Sequence, residues 1–500
     1  MRRCSVLSSS RHKGDLLNKI IFAHLSTTLI LFSTSPTIFA QQMRSPFEIS
    51  HRELLAITHV ELVNGTGGPV LNDQTILLRG DGIEDVGPST TTQIPASAEI
   101  LNGKGKTVIP GLVAMHEHLF YPSPIAGPPV ALEQMVSAPL LYLASGVTTA
   151  RTTGSVDPYG DLEIKRAIVS GRSIGPDFDL TTPYLQGPGG PILQMHVLNG
   201  PDDARAMIDY WNSMGYTSTK AYNQITGAEL KGAIEESHKL HMKITGHLCS
   251  VGFAQAVELG IDNLEHEPFA APDGDLYLDK VKDECAAKTG GDSRAIGAAV
   301  VAGVEPTGQE LEHTIRLMIE HHVALTSTLA VLEGGEELDL ERNGRLKELL
   351  HPVAWDRIHE LHRLELARGS YYANLLKKEM AFERAFVAQG GQLMFGCDPT
   401  GDGHTIAGLG DQRSLELLVE AGFTVPEVIQ IATLNGAKFE GLADRLGTIA
   451  KGKRADIVVL DGNLAENFSA IESPLLVFKA GTEYDSHKIY ESLRGQVGLH

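Results

Sequence analysis

Between residues 111 and 400 the chain repeats one pattern: a short apolar run, a loop, then a segment with helical periodicity. SGVTTARTT is followed by LEIKRAIVSG, TSTKAYN by GAELKGAIEESHKLH, KITGHLC by VGFAQAVELG, and DNLEHEP by a long connection. A strand, a crossover helix and a further strand in this order impose parallel pairing, because two parallel neighbours cannot be joined by a tight turn. About eight such strands fit the stretch, which favours a closed (β/α)8 barrel of the TIM type. An open doubly wound sheet is the structural alternative.

The flanks read differently. HVELVNGTGG, QTILLRGDGIEDVG and AEILNGKGKTVIPG alternate apolar runs with turn signals, as β-hairpins do. The far end, GTIAKGKRADIVVLDGN followed by SPLLVFKAGTEYD, reads the same way, so both chain ends are expected to close into one small β-sandwich. The predicted fold class is therefore α/β, with residues 51–108 and 441–500 forming the sandwich and 109–440 the barrel. Two stretches exceed ordinary loop length. Residues 267–310, rich in Gly, Ala and Asp, follow strand 6 and are either a lid over the site or a surface insertion; Trp355–Gln389 is a long charged helical stretch before strand 8.

Residues 1–40 have a basic start (Arg2, Arg3, Arg11, Lys13, Lys19) and an uncharged, largely apolar run from Ile20 to Phe39, ending at Ala40. This reads as a signal peptide for a periplasmic or secreted protein, with an uncleaved membrane anchor as the alternative. After cleavage no membrane association is expected. Four cysteines are too few for a disulfide scaffold; Cys249 with Cys285 is the pair an oxidising compartment allows, against three separate buried thiols. A net charge of −20 excludes a phosphate-backbone binder, so nucleic acid is not an expected partner.

In LVAMHEHLF, His116 and His118 are two apart, which places both rings on one strand face with Met115 and Glu117 on the other. Two imidazoles at a strand's C-terminal end can hold one metal ion, although an HxH alone is weak in a chain with 20 histidines. Four more metal-competent residues close later strands: Lys220 in TSTK, His247 in KITGH, His266 in DNLEH and Asp398 in QLMFGCD. In a barrel these ends converge on one axis. Plainer roles exist for each, such as a snorkelling Lys220 or a capping Asp398 before Pro399.

The combination VIPGLVAMHEH, the Lys220 segment, TGH, LEH, FGCDPTG and the tail IATLNGAKFEGLADRLGTIAKGKRADIVVLDG resembles the amidohydrolase superfamily over nearly all of the chain after the leader. Within it the sequence is similar to the prolidase-like and imidazolonepropionase-like group, and the strand-4 lysine to the dinuclear subtype. The resemblance implies two divalent metal ions, zinc in the first instance: His116, His118 and Asp398 on one, His247 and His266 on the other. Lys220, carboxylated, would bridge them; an unmodified ammonium would repel two dications. It further implies hydrolysis of an amide or peptide-like C–N bond of a small-molecule substrate, such as an Xaa-Pro dipeptide or N-acyl amino acid, by metal-activated hydroxide, with Asp398 moving the proton.

Substrate contacts are read from position. Tyr222 shares a strand face with Lys220, His404 lies in the Gly-rich loop after Asp398, and His196 ends GPGGPILQMH after strand 3; packing or solvation is the alternative for each. The surroundings of His196 depart from the glycine-histidine pattern of prolidase-like members, which leaves dipeptide specificity open. The rival functions are a mononuclear deaminase or a cyclic-imine or lactone hydrolase on the same fold. A non-catalytic scaffold on the barrel would be expected to have lost ligands that are all present here. Self-association as a homo-oligomer is an expectation from analogy with relatives.

Overall fold

The computed structural model describes residues 45–123, 130–189, 192–266, 308–333, 344–368, 371–400 and 405–499. The leader, Cys285, His404 and most of the 267–310 insertion lie outside the described residues.

Eight short strands form the centre: β1 (Leu112–Glu117), β2 (Val147–Thr152), β3 (Asp177–Asp179), β4 (Ser218–Ala221), β5 (Lys243–Gly246), β6 (Asn263–Glu265), β7 (Ala324–Ser327) and β8 (Leu393–Phe395). Every pairing among them is parallel: β1–β2–β3 in one ladder and β4 through β8 in another. Two parallel bridges, Thr181 to Ser218 and Leu185 to Ala221, join the segment that follows β3 to β4. The Asp398 amide donates to the His116 carbonyl at 3.1 Å and closes β8 onto β1. The expected (β/α)8 barrel is present. Its strands are buried on both faces, which is why they read as continuous apolar runs rather than alternating ones.

The crossover helices start and stop where their sequences carry end signals. Thr226 caps the helix Gly227–Lys239 in a reciprocal box with Glu229, Asp157 accepts from the Gly160 amide to cap Pro158–Val169, and Phe253–Leu259 ends on Gly260 at φ 96°. The charged stretch before β8 becomes two helices, Pro352–Arg368 and Tyr371–Ala388. No helix among the described residues is long and apolar enough to cross a membrane.

Both chain ends meet in one nine-stranded sheet, joined where Ile457–Asp461 pairs antiparallel with Lys106–Pro110. The expected hairpins occur at Leu54–Leu62 with Leu71–Arg79 and at Leu71–Arg79 with Gly82–Pro88. The ladder is mixed, however. Glu99–Asn102 and Lys106–Pro110 both run parallel to Leu54–Leu62, because the chain crosses back after Pro88 instead of turning again. The sheet encloses its own apolar cluster, including Ile57, Ile76, Val108, Ile457 and Phe478. Lys106–Pro110 leads straight into β1, so this small domain sets where the first barrel strand enters.

Candidate metal centre

The predicted ligands gather at the C-terminal end of the barrel. His116, at the end of β1, and His118, one residue past it, are both buried, and their rings meet edge to face with centroids 5.4 Å apart. Asp398 lies between them: its Oδ1 is 3.1 Å from His118 Nε2 and 3.5 Å from His116 Nε2, and its Oδ2 is 3.8 Å from His266 Nε2. One donor atom each from His116, His266 and Asp398 fall within 4.8 Å of one another. The His247 ring stacks edge-on against His266 at 4.4 Å. Lys220, on β4, is buried, and among the described residues its Nζ has no hydrogen-bond partner.

Two of these positions depend on backbone that strand periodicity does not describe. His266 follows β6 at φ 59° and Asp398 follows β8 at φ 49°, both left-handed without being glycine. Alternation alone would send His266 to the face opposite Glu265; the left-handed residue turns its ring back toward the cluster. Such conformations cost of order 1–3 kcal/mol each and persist where the surroundings over-determine them.

Below the histidines is a polar layer whose members came from the sequence only as strand residues. Glu265 is fully buried; its Oε2 accepts from His116 Nδ1 at 2.7 Å and its Oε1 from Arg151 Nη2 at 2.8 Å, with Thr245 Oγ1 also donating to Oε1. Arg151 reaches Asn263 Oδ1 at 2.5 Å and the Met115 carbonyl at 3.1 Å. The carboxylate fixes the His116 tautomer, leaving Nε2 free to face Asp398. His266 is oriented likewise, its Nδ1 2.7 Å from Thr328 Oγ1.

Electrostatics favour metal-competent protonation states. Burial lowers His118, His266 well below the usual range, and His247 to about 3, with the Lys220 ammonium adding to the last. Burial thus favours the neutral form of these three imidazoles. Burial also lowers Lys220 to about 8, against the pull of Glu265 and Asp398. Asp398 stays ionised despite burial, because His116, His118 and His266 surround it.

Of the substrate candidates, Tyr222 is at the site, its ring 4.8 Å from His247 and 4.7 Å from Tyr184. Tyr184, Phe120 and Met195 form an apolar wall beside it that sequence pattern did not single out. His196 is not brought to the cluster: its ring is exposed and its Nε2 is 2.9 Å from Asp203 Oδ2, at the start of the next helix. Cys249 is disulfide-bonded, and its expected partner Cys285 lies outside the described residues. Cys397 is a free, buried thiol.

A second cluster, Glu117, Cys397 and Asp411, sits on the opposite face of β1, as period two requires. The Cys397 thiol lies 3.3 Å from a Glu117 carboxyl oxygen and 3.5 Å from one of Asp411, so its single proton is shared between the two carboxyls. Burial and the two neighbouring carboxyls push the thiol well up, away from the thiolate a metal would need, so this group ties β1 to β8 and the helix Leu409–Glu420.

Comparison with known proteins now decides the family: the model of the amidohydrolase family matches residues 107–483. The chain belongs to the amidohydrolase family. Membership places it among the hydrolases. It is similar to the S-triazine hydrolase of Gordonia rubripertincta, 27% identical over 131 residues; the match spans 25% of this chain and 28% of that protein. Among solved structures, a Xaa-Pro dipeptidase with bound methionine aligns over 86% of this chain and 100% of its own, at 20% identity and TM-score 0.63. The A. niger ochratoxinase aligns over 89% and 99%, at 16% identity and TM-score 0.62. A bottromycin amidohydrolase aligns over 88% and 89%, at 18% identity and TM-score 0.64. At these identities the likeness is one of fold.

Proposed function

We propose that this amidohydrolase cleaves an amide or peptide-like C–N bond of a small molecule at a dinuclear metal site bridged by carboxylated Lys220. The observation that carries the reading is Lys220 itself: a lysine with an orphaned Nζ, buried among neutral imidazoles and beside an ionised aspartate. As a bare ammonium it would lack every hydrogen bond that burial demands. Carboxylation turns it into an anion with oxygen donors, and the partly neutral amine is the form that takes up carbon dioxide. Among the described residues His118 Nδ1 and His266 Nε2 are likewise buried without a hydrogen-bond partner, which fits nitrogen donors to a metal ion.

His116, His118 and Asp398 would hold one ion, His247 and His266 the other, with Lys220 between them. Two such ions, when bound, supply Lewis acidity that lowers the pKa of water and polarises a carbonyl. The chain's own groups do the rest. Asp398, ionised at the mouth of the cluster, accepts the proton of the attacking water at a carboxylate oxygen and returns it to the leaving nitrogen. Tyr222, kept as a phenol by burial, donates to the substrate carbonyl. The wall of Tyr184, Phe120 and Met195 receives an apolar part of the substrate and excludes water. Xaa-Pro dipeptides and N-acyl amino acids fit this description, His404 is retained as a proposed contact, and the leader is proposed to export the protein.

The test is turnover of Xaa-Pro dipeptides, N-acyl amino acids and lactones by zinc-loaded protein, with Asp398→Asn alongside. Amide hydrolysis that falls by about 10²–10⁴ in Asp398→Asn supports the reading. Turnover restricted to lactones, or unchanged in the variant, overturns it.

A further inference from the structure

The helix Tyr371–Ala388 carries Glu379 and Glu383 one turn apart, on one face. Both side chains are fully buried, and among the described residues none of their carboxylate oxygens has a hydrogen-bond partner. Ser327, the last residue of β7, is also fully buried; it lies against Glu383, yet its Oγ makes no hydrogen bond of ordinary geometry.

This group is separate from the histidine cluster. Thr326 Oγ1 donates to Asn263 Oδ1 at 3.1 Å and Thr328 Oγ1 meets His266 Nδ1 at 2.7 Å, so the residues on either side of Ser327 face the barrel interior. Ser327, between them, faces the helix layer. Basic side chains around this layer are committed elsewhere. Arg413 pairs with Glu333, Glu416 and Glu420, and Arg384 lies over the Phe423 ring, 4.0 Å from Glu427.

An unpaired carboxylate in such a place costs several kcal/mol, and two side by side cost more. Protons alone fit the geometry poorly. Ser327 stands near enough to Glu383 to pull its carboxyl down against burial, but among the described residues no hydrogen bond of ordinary geometry joins any of these oxygens to another group. The three side chains offer oxygen donors alone, with no sulfur and no imidazole among them. We propose that Glu379, Glu383 and Ser327 bind a hard divalent cation of the Ca²⁺ or Mg²⁺ class, at a site distinct from the catalytic metals. Its charge balances the two carboxylates, and it fastens the long helix to the end of β7, one residue before the Thr328 that orients His266. Burial pushes Glu383 up to about 8, so protons compete with the cation below that pH.

The experiment uses the zinc-loaded, full-length protein, dialysed against Ca²⁺ or Mg²⁺ above pH ~8 and analysed for metals, with thermal unfolding in parallel. The expected result is one Ca²⁺ or Mg²⁺ per chain beyond the zinc, and a cation-dependent rise in Tm of roughly 3 °C or more. Glu379→Gln/Glu383→Gln abolishes both while zinc content is unchanged. Should that variant not fold, Ser327→Ala serves in its place, with cation affinity lowered about tenfold through loss of one oxygen donor. Zinc-loaded wild type that binds neither cation, or binding that survives unchanged in the variants, overturns the proposal and leaves the carboxyls as buried neutral acids.

Discussion

Replacing Glu265 by Gln tests whether the polar layer under the histidines holds the centre together. The substitution keeps shape and removes one charge from a carboxylate that His116 Nδ1 meets at 2.7 Å and Arg151 Nη2 at 2.8 Å. Arg151 is buried and would keep only neutral acceptors, Asn263 and the Met115 carbonyl. Breaking a buried pair from one side costs about 3–5 kcal/mol, which for a chain of this size lowers Tm by roughly 3–5 °C. Zinc affinity should also fall about 10–100-fold, since His116 loses the partner that sets its tautomer. Thermal unfolding of the metal-free protein reads the first effect, and chelator competition the second. Adding Arg151→Met should recover part of the lost stability, because the stranded charge goes with it. A Glu265→Gln variant within about 1 kcal/mol of wild type that retains its zinc affinity would refute the reasoning.

Two further substitutions probe how the site is positioned. A Cβ on Gly396 would stand 2.6 Å from the backbone nitrogen and Cβ of His116, neither of which can swing away, so Gly396→Ala should cost about 1–3 kcal/mol and disturb both His116 and Asp398; chemical denaturation and zinc titration check this, and an unaffected variant contradicts the close approach of β8 to β1. Burial raises Glu133 to about 10 and Asp161 to about 7, so the folded state holds protons that the unfolded chain has released. Stability conferred by the neutral forms is lost as pH rises from the ordinary carboxyl range through these values, and Glu133→Gln should flatten that decline in unfolding curves taken across the range. A decline as steep as that of the wild type would show that Glu133 is not the group responsible.

Much of the architecture was legible because parallel strands buried on both faces leave unbroken apolar runs, and crossover helices must separate them. HxH could be read from period two alone, and Lys220, His247, His266 and Asp398 from their places at strand ends. What eluded the pattern was the set of contacts between strands distant in sequence. Nothing in DNLEH says that Glu265 will meet an arginine on β2 and a histidine on β1. Nor does it say that His266 will adopt a left-handed backbone and so reach the cluster its alternation would deny it. Tyr184 entered the wall beside Tyr222 through a loop, where periodicity has no force, and Phe120 through the short strand Phe120–Ser123, which lies outside the barrel ladder. His196 went the other way: a nearby aspartate, Asp203, offered it a surface partner that a search for site residues would not weigh.

The central claim is the bridged dinuclear centre, and its most direct test is metal content measured together with native intact mass on protein prepared with bicarbonate and zinc. The account predicts two metals per chain and an adduct of about 44 Da on Lys220 that disappears on acidification, as a carbamate anion between two cations should. One metal per chain with no adduct, and activity retained in Lys220→Ala, would contradict it.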